Sequence, residues 1–545
     1  MSISKHYNEL VNLYIMEEIY MSKCKALKLY NIPVFAPISK DYYVEIEGQA
    51  ADVHPVTVSS KPTNELYRGT QRTVEETEQA SMINFDFEGI VKIRIVCAWE
   101  IFYSRVLPLS KGIKPVKGEK NKGDEVSFEI SEPGQYVFEV NGLHKPLHIF
   151  ANPMETDKPD PNALNVDYRQ PDEKLDFPGN YYGKKNTVLR EGKDILYFGP
   201  GIHQPYVIEP KSNQSVYIDG GAIVFGVIIA DKQENIRIYG RGILSGARFD
   251  RQDHSSKLAR TMIISNSENV SVEGIVIEDS VIYQIATIGG SNINIDNVKI
   301  FSWRRNSDGI DIHNSQNVNI RNCFVRAFDD AIVIKGQHGY AGYLTNHEPT
   351  SDILVENCVV WGDWGRAIEF GAETSADRMN NIVVRNCDII HFALVALDIQ
   401  PCGDAPIYDI LFEDIRIYDP IDSLIYPRLI EIFIRNMLWL EGEKLGSVRD
   451  VTFRNISYNG LVICPCRFIG ESDEHNIRDV HLENITINGR MLDCEDDLIS
   501  PVIINDYAEE IVINGRAIER SRCRVESEED TANSYLVGNG AYIVV

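Results

Sequence analysis

A short unit recurs through the second half of the chain: a polar start, alternating apolar residues, then Asn, Asp or Gly, then two more apolar positions. It reads NVSVEGIVI from Asn269, NINIDNVKI from Asn292, NVNIRNCFV from Asn317, DILVENCVV from Asp352, NIVVRNCDI from Asn381, DILFEDIRI from Asp409, DVTFRNISY from Asp450 and DVHLENITI from Asp479. A weaker copy, NIRIYGRGI, begins at Asn235, and SVYIDGGAIVFG from Ser215 precedes it. Start-to-start spacings between Asn269 and Asp479 range from 23 to 41 residues. That is too irregular for a hexapeptide solenoid and suits coils with loops of variable length. Within each unit the period-2 alternation marks a strand with one face inward, and the Asn, Asp or Gly fits a bend where left-handed backbone is cheap. Helical periodicity is scarce. The expected fold is all-β: a right-handed parallel β-helix preceded by an N-terminal antiparallel β-sandwich.

The sandwich is expected over residues 23–152, where DYYVEIEG, SMINFDFEG, VKIRIVCAWE, DEVSFEI and GQYVFEVNG alternate and are separated by turn signals. Residues 1–22 form an N-terminal extension, and 153–187, rich in Pro, Asp, Lys, Asn and Tyr, a linker. The solenoid then occupies 188–545. It ends in an acidic stretch, ESEEDTANS, and a final AYIVV that suits an edge strand.

The chain has 545 residues and a net charge of −26. Such a balance opposes a nucleic-acid partner or an anionic membrane surface, and makes a strongly anionic polymer a less natural substrate. No transmembrane segment is expected. Glu9, Glu17 and Glu18 interrupt the place where a secretory signal would carry its apolar core, so a cytoplasmic location is expected. Cys323, Cys358 and Cys387 share one apolar slot of successive units and read as a stack of small buried side chains. Cys464 and Cys466 have one residue between them and read as structural. His313 and His391 show no metal-ligand spacing. Neither a metal nor an organic cofactor is expected, and oligomeric state is left open.

Two carboxylate clusters stand out: Asn306-Ser307-Asp308-Gly309-Ile310-Asp311, and Asp329-Asp330-Ala331-Ile332-Val333-Ile334-Lys335. Asp308 and Asp329 are 21 residues apart, about one coil, so stacking brings the clusters together. Hydrolysis of a glycosidic bond needs such paired acids. In the inverting form one protonated carboxyl donates to the leaving oxygen while an ionised one activates water, the two standing roughly 6.5–9.5 Å apart. Crowding by Asp330 and Asp308 would keep Asp329 protonated, which suits the acid; Asp308 and Asp330 would share the base role. Either cluster alone equally fits bend residues that bond their own backbone. Asp311 is the weaker candidate. Lys335 fits either a sugar hydroxyl or local charge balance.

These motifs resemble the signature of the polygalacturonase-like glycoside hydrolases, family 28, and the related dextranase and isopullulanase family, family 49. The resemblance runs from about Asp194 to Gly489 and is strongest from Gly289 to Gly336. It implies that Asp308, Asp329 and Asp330 are the three catalytic aspartates and that hydrolysis proceeds with inversion and without metal or organic cofactor. Two departures stand beside it. Where family 28 carries Gly-His-Gly, this chain reads GDWGRAIEFG from Gly362 to Gly371. Its Arg-Ile-Lys uronate clamp is replaced by Ala396-Leu397-Asp398-Ile399-Gln400. An acid in place of a basic clamp would repel galacturonate and favours a neutral or differently substituted sugar.

Around the aspartates, Lys335, Arg366, Glu369, Arg305, Gln400 and His338 are candidate hydroxyl ligands, Arg366 and Glu369 first among them. Trp303, Trp361 and Trp364 are candidate sugar-stacking rings, and Tyr283 lies one coil earlier. The sequence therefore points to a glycoside hydrolase acting on an oligo- or polysaccharide. A lyase or epimerase on the same solenoid, which should show a basic cluster, and a non-catalytic carbohydrate-binding solenoid are the alternatives.

Overall fold

The computed structural model describes residues 23–60, 76–118, 123–173, 186–249, 257–340, 342–421, 427–436, 444–493, 501–518 and 524–525. The expected N-terminal extension and the acidic tail with its final AYIVV lie outside them. The chain divides into two compact units, one from Met1–Asn31, Pro37–His54 and Ser81–Asp157, the other from Ile32–Ala36, Pro55–Ala80 and Lys158–Val545. Among the described residues there is no α-helix, only short 3-10 turns such as Leu109–Lys111 and Lys257–Ala259.

In the first unit two sheets face each other. One runs Cys24–Leu29, Thr77–Gly89, Leu147–Pro153, Gly134–Val140, Ser104–Leu107; the other Gln49–Ala51, Tyr42–Ile46, Val91–Cys97, Glu125–Ile130, Val116–Lys117. Alternation explains the pairing. Val44, Ile46, Ile93, Ile95, Val126 and Phe128 from one sheet meet Phe85, Phe138, Val140, Leu147 and Ile149 from the other in one apolar core. The expected antiparallel sandwich is departed from at one pair: Leu147–Pro153 runs parallel to Ser81–Phe87. The long connection between those two segments permits a parallel neighbour.

The second unit holds the β-helix: a path of strands that pair in parallel with their counterparts one coil on, broken by antiparallel pairs at Thr486–Ile487 with Arg490–Met491 and Ile511–Ile513 with Arg516–Ala517. Its first rung begins inside the stretch expected as a linker, where Val166–Arg169 pairs with Ile195–Phe198. The repeat unit builds two of the three faces. Val270, Val272, Ile293, Ile295, Val318, Ile320, Ile353 and Val355 point inward and join the continuous apolar core. The residue at each bend, Gly274, Asn297, Asn322, Asn357, Asn386, Asp414, Asn455 and Asn484, has positive φ. An amide or carboxyl there tolerates the left-handed conformation and bonds its counterpart on the next coil. Asn357 Nδ2 donates to Asn322 Oδ1 at 3.3 Å, and Asn386 Nδ2 to Asn357 Oδ1 at 2.6 Å. Cys323, Cys358 and Cys387 are in register just after the bend, buried and unoxidised.

The third face carries the acids. Its strands include Ile285–Ile288, Ile310–His313, Ile332–Gly336, Ile368–Thr374, Val395–Pro401, Arg428–Phe433 and Cys466–Ile469, stacked in that order. Ile285, Ile310, Ile332, Ile368, Leu397, Ile430 and Cys466 are register partners and face the core. The next residue in each strand points out: Ala286, Asp311, Val333, Glu369, Asp398, Glu431, Arg467.

Candidate active site

Two residues before each register-matched isoleucine lies a column formed by Tyr283, Asp308, Asp330 and Arg366, one residue per coil. Backbone bonds hold it, with Gly309 N–H donating to Asp330 O at 2.9 Å and Ala331 N–H to Arg366 O at 2.9 Å. Asp308 and Asp330 therefore stand one strand spacing apart, about 4.8 Å between backbones. Asp329 precedes Asp330 in the turn, level with Ser307 before it and Gly365 after it. Gly309 is obligatory here, since a Cβ would stand 2.3 Å from Ala331 O.

All three aspartates are nearly enclosed, with exposures of 3%, 5% and 8% for Asp308, Asp329 and Asp330. Asp329 Oδ2 accepts the Asn306 N–H at 3.2 Å. Burial, then the charges of Asp330 and Asp308, hold its carboxyl well above the usual range. Asp308 is pushed up to about 6, chiefly by burial, with Lys335 pulling against it. Asp330 Oδ1 accepts the Arg366 N–H at 2.7 Å, and the Arg366 guanidinium lies 3.7 Å from the same oxygen.

Lys335 is buried and fully engaged. Its Nζ donates to Asp308 Oδ2 at 3.0 Å and to the Tyr283 hydroxyl at 3.1 Å. It also forms an ion pair with Asp311 Oδ1 at 2.9 Å, in a geometry that leaves both Asp311 oxygens without a hydrogen bond. Burial pulls the ammonium down, but Asp308, Asp311, Tyr283 and Glu373 outweigh it and hold the pKa well above the ordinary value. For Asp311 the balance is opposite: burial wins over Lys335 and its carboxyl is raised. Of the two roles expected for Lys335, this geometry favours charge balance.

On the other side, Arg366 Nε lies 3.2 Å from Asp398 Oδ2 and 3.8 Å from Glu369 Oε1, and its Nη2 donates to Gln400 Oε1 at 3.3 Å. Arg366, Glu369 and Gln400 are thus brought together beside Asp330. Tyr283 stacks with Tyr340 at 5.1 Å and with His313 at 6.0 Å, next to Lys335. Trp364 stacks on Phe328 at 5.5 Å. His338 stacks on His347 at 5.1 Å, a contact that does not involve the aspartates. Arg305 lies partly buried in the turn before Asn306. Trp361 departs from its expected part as a sugar-stacking ring: it is fully buried, with the Arg326 guanidinium 3.9 Å from its centroid and His391 at 4.3 Å. Trp303, the third ring, is partly buried, and its Nε1 donates to Asp279 Oδ1.

The residues that sequence reasoning passed over lie further along the outward column. Glu431 is buried between Arg428 and Arg467, with contacts of 2.7 and 3.0 Å. Burial would raise it, yet Arg428, Arg467 and Arg435 prevail and hold it at about 2. The signal was present in the strands LDIQ and IEIF, each of which places one charged residue between two core positions. Among the described residues no group of three or more His, Cys, Asp or Glu is arranged to hold a metal ion, and no helix is long and apolar enough to cross a membrane.

Residues 220–421 match the family model of glycosyl hydrolases family 28. The matched segment contains the whole aspartate column, Arg366, Glu369 and Gln400, so the expected resemblance is borne out where the site lies. The match supports a glycoside hydrolase. A protein from Aspergillus flavus described as a galacturan 1,4-alpha-galacturonidase A is 25% identical over 248 residues, 38% of this chain and 52% of that one. One of the same description from Aspergillus niger is 24% identical over 233 residues, 36% of this chain and 50% of that one. The chain spans about half the length of these relatives. Among solved structures, Dex49A from Penicillium minioluteum shares the fold, with a TM-score of 0.55, 14% identity and coverage of 91% of this chain and 92% of that one.

Proposed function

We propose that this protein is an inverting glycoside hydrolase acting on an oligo- or polysaccharide whose bound residue is neutral or otherwise lacks a carboxylate. The observation that carries the reading is the stacked pair Asp308 and Asp330 with Asp329 beside them. Asp329, holding a proton by burial and by two neighbouring acids, donates it to the glycosidic oxygen as the bond to the anomeric carbon breaks. Asp308 and Asp330 take the proton of the water that attacks the opposite face. Lys335 and Arg366 hold these two carboxylates in place; in this reading Lys335 acts through Asp308 and does not contact the sugar.

The substrate class follows from charge. Asp398 and Gln400 stand where a basic clamp for a uronate would be, and the nearby cations Lys335 and Arg366 are already paired with carboxylates. A carboxylate ligand would have to compete there with the carboxylates that already hold Lys335 and Arg366. The names of the two Aspergillus relatives favour a second reading, a galacturonate-containing substrate.

The test is sugar release by wild type and Asp329→Asn from isomalto-, pullulan-derived, rhamnose-containing and galacturonate oligosaccharides, with the anomer of the first product read by NMR. Release of a neutral sugar as the inverted anomer, lost in the variant, is the expected result. Turnover of galacturonate alone moves the assignment to the second reading, and a retained anomer rejects inversion. An unsaturated product identifies a lyase; binding without turnover identifies a carbohydrate-binding solenoid.

A further inference from the structure

Arg366 is one guanidinium among three buried carboxyl groups, those of Asp330, Glu369 and Asp398, at 3.7, 3.8 and 3.2 Å. Were all three ionised, this one guanidinium would face three negative charges in an interior where Glu369 and Asp398 have no exposed surface. The hydrogen bonds say where a proton resides. Gln400 Oε1 accepts from Arg366 Nη2 at 3.3 Å and from Arg435 Nη2 at 2.6 Å, which fixes the orientation of its amide. Gln400 Nε2 is therefore turned to Glu369 Oε1, at 3.4 Å, making that oxygen an acceptor. The other oxygen, Glu369 Oε2, is buried and has no donor. The Glu369 and Asp330 carboxyls lie against the same guanidinium, at 3.8 and 3.7 Å from Arg366. Two acceptors in that position repel unless one carries a proton.

We propose that Glu369 is a neutral carboxylic acid that accepts from Gln400 through Oε1 and donates its Oε2 hydrogen to Asp330, orienting Asp330 for its part in the base pair. The inference rests on the hydrolase reading for what Asp330 does, but not for the proton itself. Every group facing Glu369 fits. Asp330 and Arg366 come from the turns ahead of two strands, Asp398 and Gln400 from the next strand, and Val333 opposite it adds no charge. Asp330 already takes the Arg366 N–H; Asp398, which burial and Glu431 raise to about 7, has Arg366, Arg428 and Arg435 pulling against them, and Glu369 has Arg366 alone among these cations, so the proton is assigned to Glu369 first. Burial, ahead of Asp330, raises the Glu369 carboxyl well above its ordinary range. Glu369 is thus a positioning residue, acting through Asp330.

Glu369→Gln separates the possibilities, because a glutamine amide reproduces one acceptor and one donor without charge. On the substrate found by the panel, the kcat of Glu369→Gln is expected within about threefold of wild type, and Glu369→Ala is expected to lose roughly tenfold or more in kcat with little change in KM. A Gln variant as impaired as the Ala variant would mean an ionised counter-ion to Arg366, and overturns the proposal. The second measurement needs no substrate: the infrared difference spectrum of wild type minus Glu369→Gln at neutral pH. Loss of a protonated carboxyl C=O band supports the proposal; loss of carboxylate bands alone rejects it. Because that spectrum is independent of turnover, a failure of the hydrolase reading remains distinguishable from a failure of this one.

Discussion

Removing the Lys335 ammonium would take from the buried Asp308 and Asp311 the cation that contacts both. Asp308 stands at about 6 with Lys335 pulling it down, so Lys335→Met is expected to move it further up. A base must be ionised to act, and the acidic limb of the pH profile of kcat/KM should therefore shift to higher pH, while KM for a neutral sugar changes little. A KM effect with an unmoved limb would instead assign Lys335 to substrate binding. Asp329→Asn removes the proton donor without altering shape; a loss of roughly 10²–10⁴ in kcat is expected. That loss should shrink for aryl glycosides, whose leaving groups need no proton. The three aspartates were legible in the sequence because the alternation of IDIH and IVIK fixes which residues face out, and the 21-residue separation fixes the stacking. The saturation of Lys335 was not, since it depends on Tyr283, contributed one coil before Asp308.

The turns ahead of the strands position the chemistry, and Gly365 packs directly against the turn that carries Asp329 and Asp330. A Cβ there would stand 2.5 Å from the Asp329 carbonyl carbon and 2.6 Å from Asp330 N. Backbone cannot yield as a side-chain tip does, so Gly365→Ala should displace the turn that carries both acids. The expected outcome is a loss of kcat of roughly a hundredfold at a stability cost of about 1–3 kcal/mol, checked by kinetics alongside thermal unfolding. Strands and bends were the most readable elements: each Asn-containing unit marked a left-handed bend, and the structure has positive φ at every one from Gly274 to Asn484. The clustering of Arg366 with Asp398, Gln400 and Arg435 was less so. Arg366 and Gln400 fall on successive coils, but Arg435 lies beyond the end of a third strand, at a distance along the chain set by an intervening loop and not by the repeat. Trp361 shows the converse limit. Its place in VVWG reads as a possible outward ring, yet Arg326 and His391 from the adjacent coils enclose it.

For the whole molecule, the buried acids and the net charge of −26 act in the same direction. Asp308 and Asp398 are raised to about 6 and about 7, above the unfolded value near 3.9. Between roughly pH 4 and 7 the folded chain therefore holds protons that the unfolded chain has released, and stability falls as pH rises through that window. Glu431, held at about 2, contributes the opposite slope, but only below about pH 4, where its stabilising ion pairs are lost as it protonates. Surface carboxylates add self-repulsion as they ionise. The thermal midpoint should therefore be higher at pH 5 than at pH 7.5. Salt divides the two contributions, because a Debye length of about 8 Å at 0.15 M screens exposed charges far more than buried ones. Raising the salt should lift the midpoint at pH 7.5 without abolishing the pH slope, and Asp398→Asn should flatten what remains. A slope that vanishes in salt, or that Asp398→Asn leaves intact, would place its origin on the surface and detach the stability of the solenoid from the protonation of its acid column.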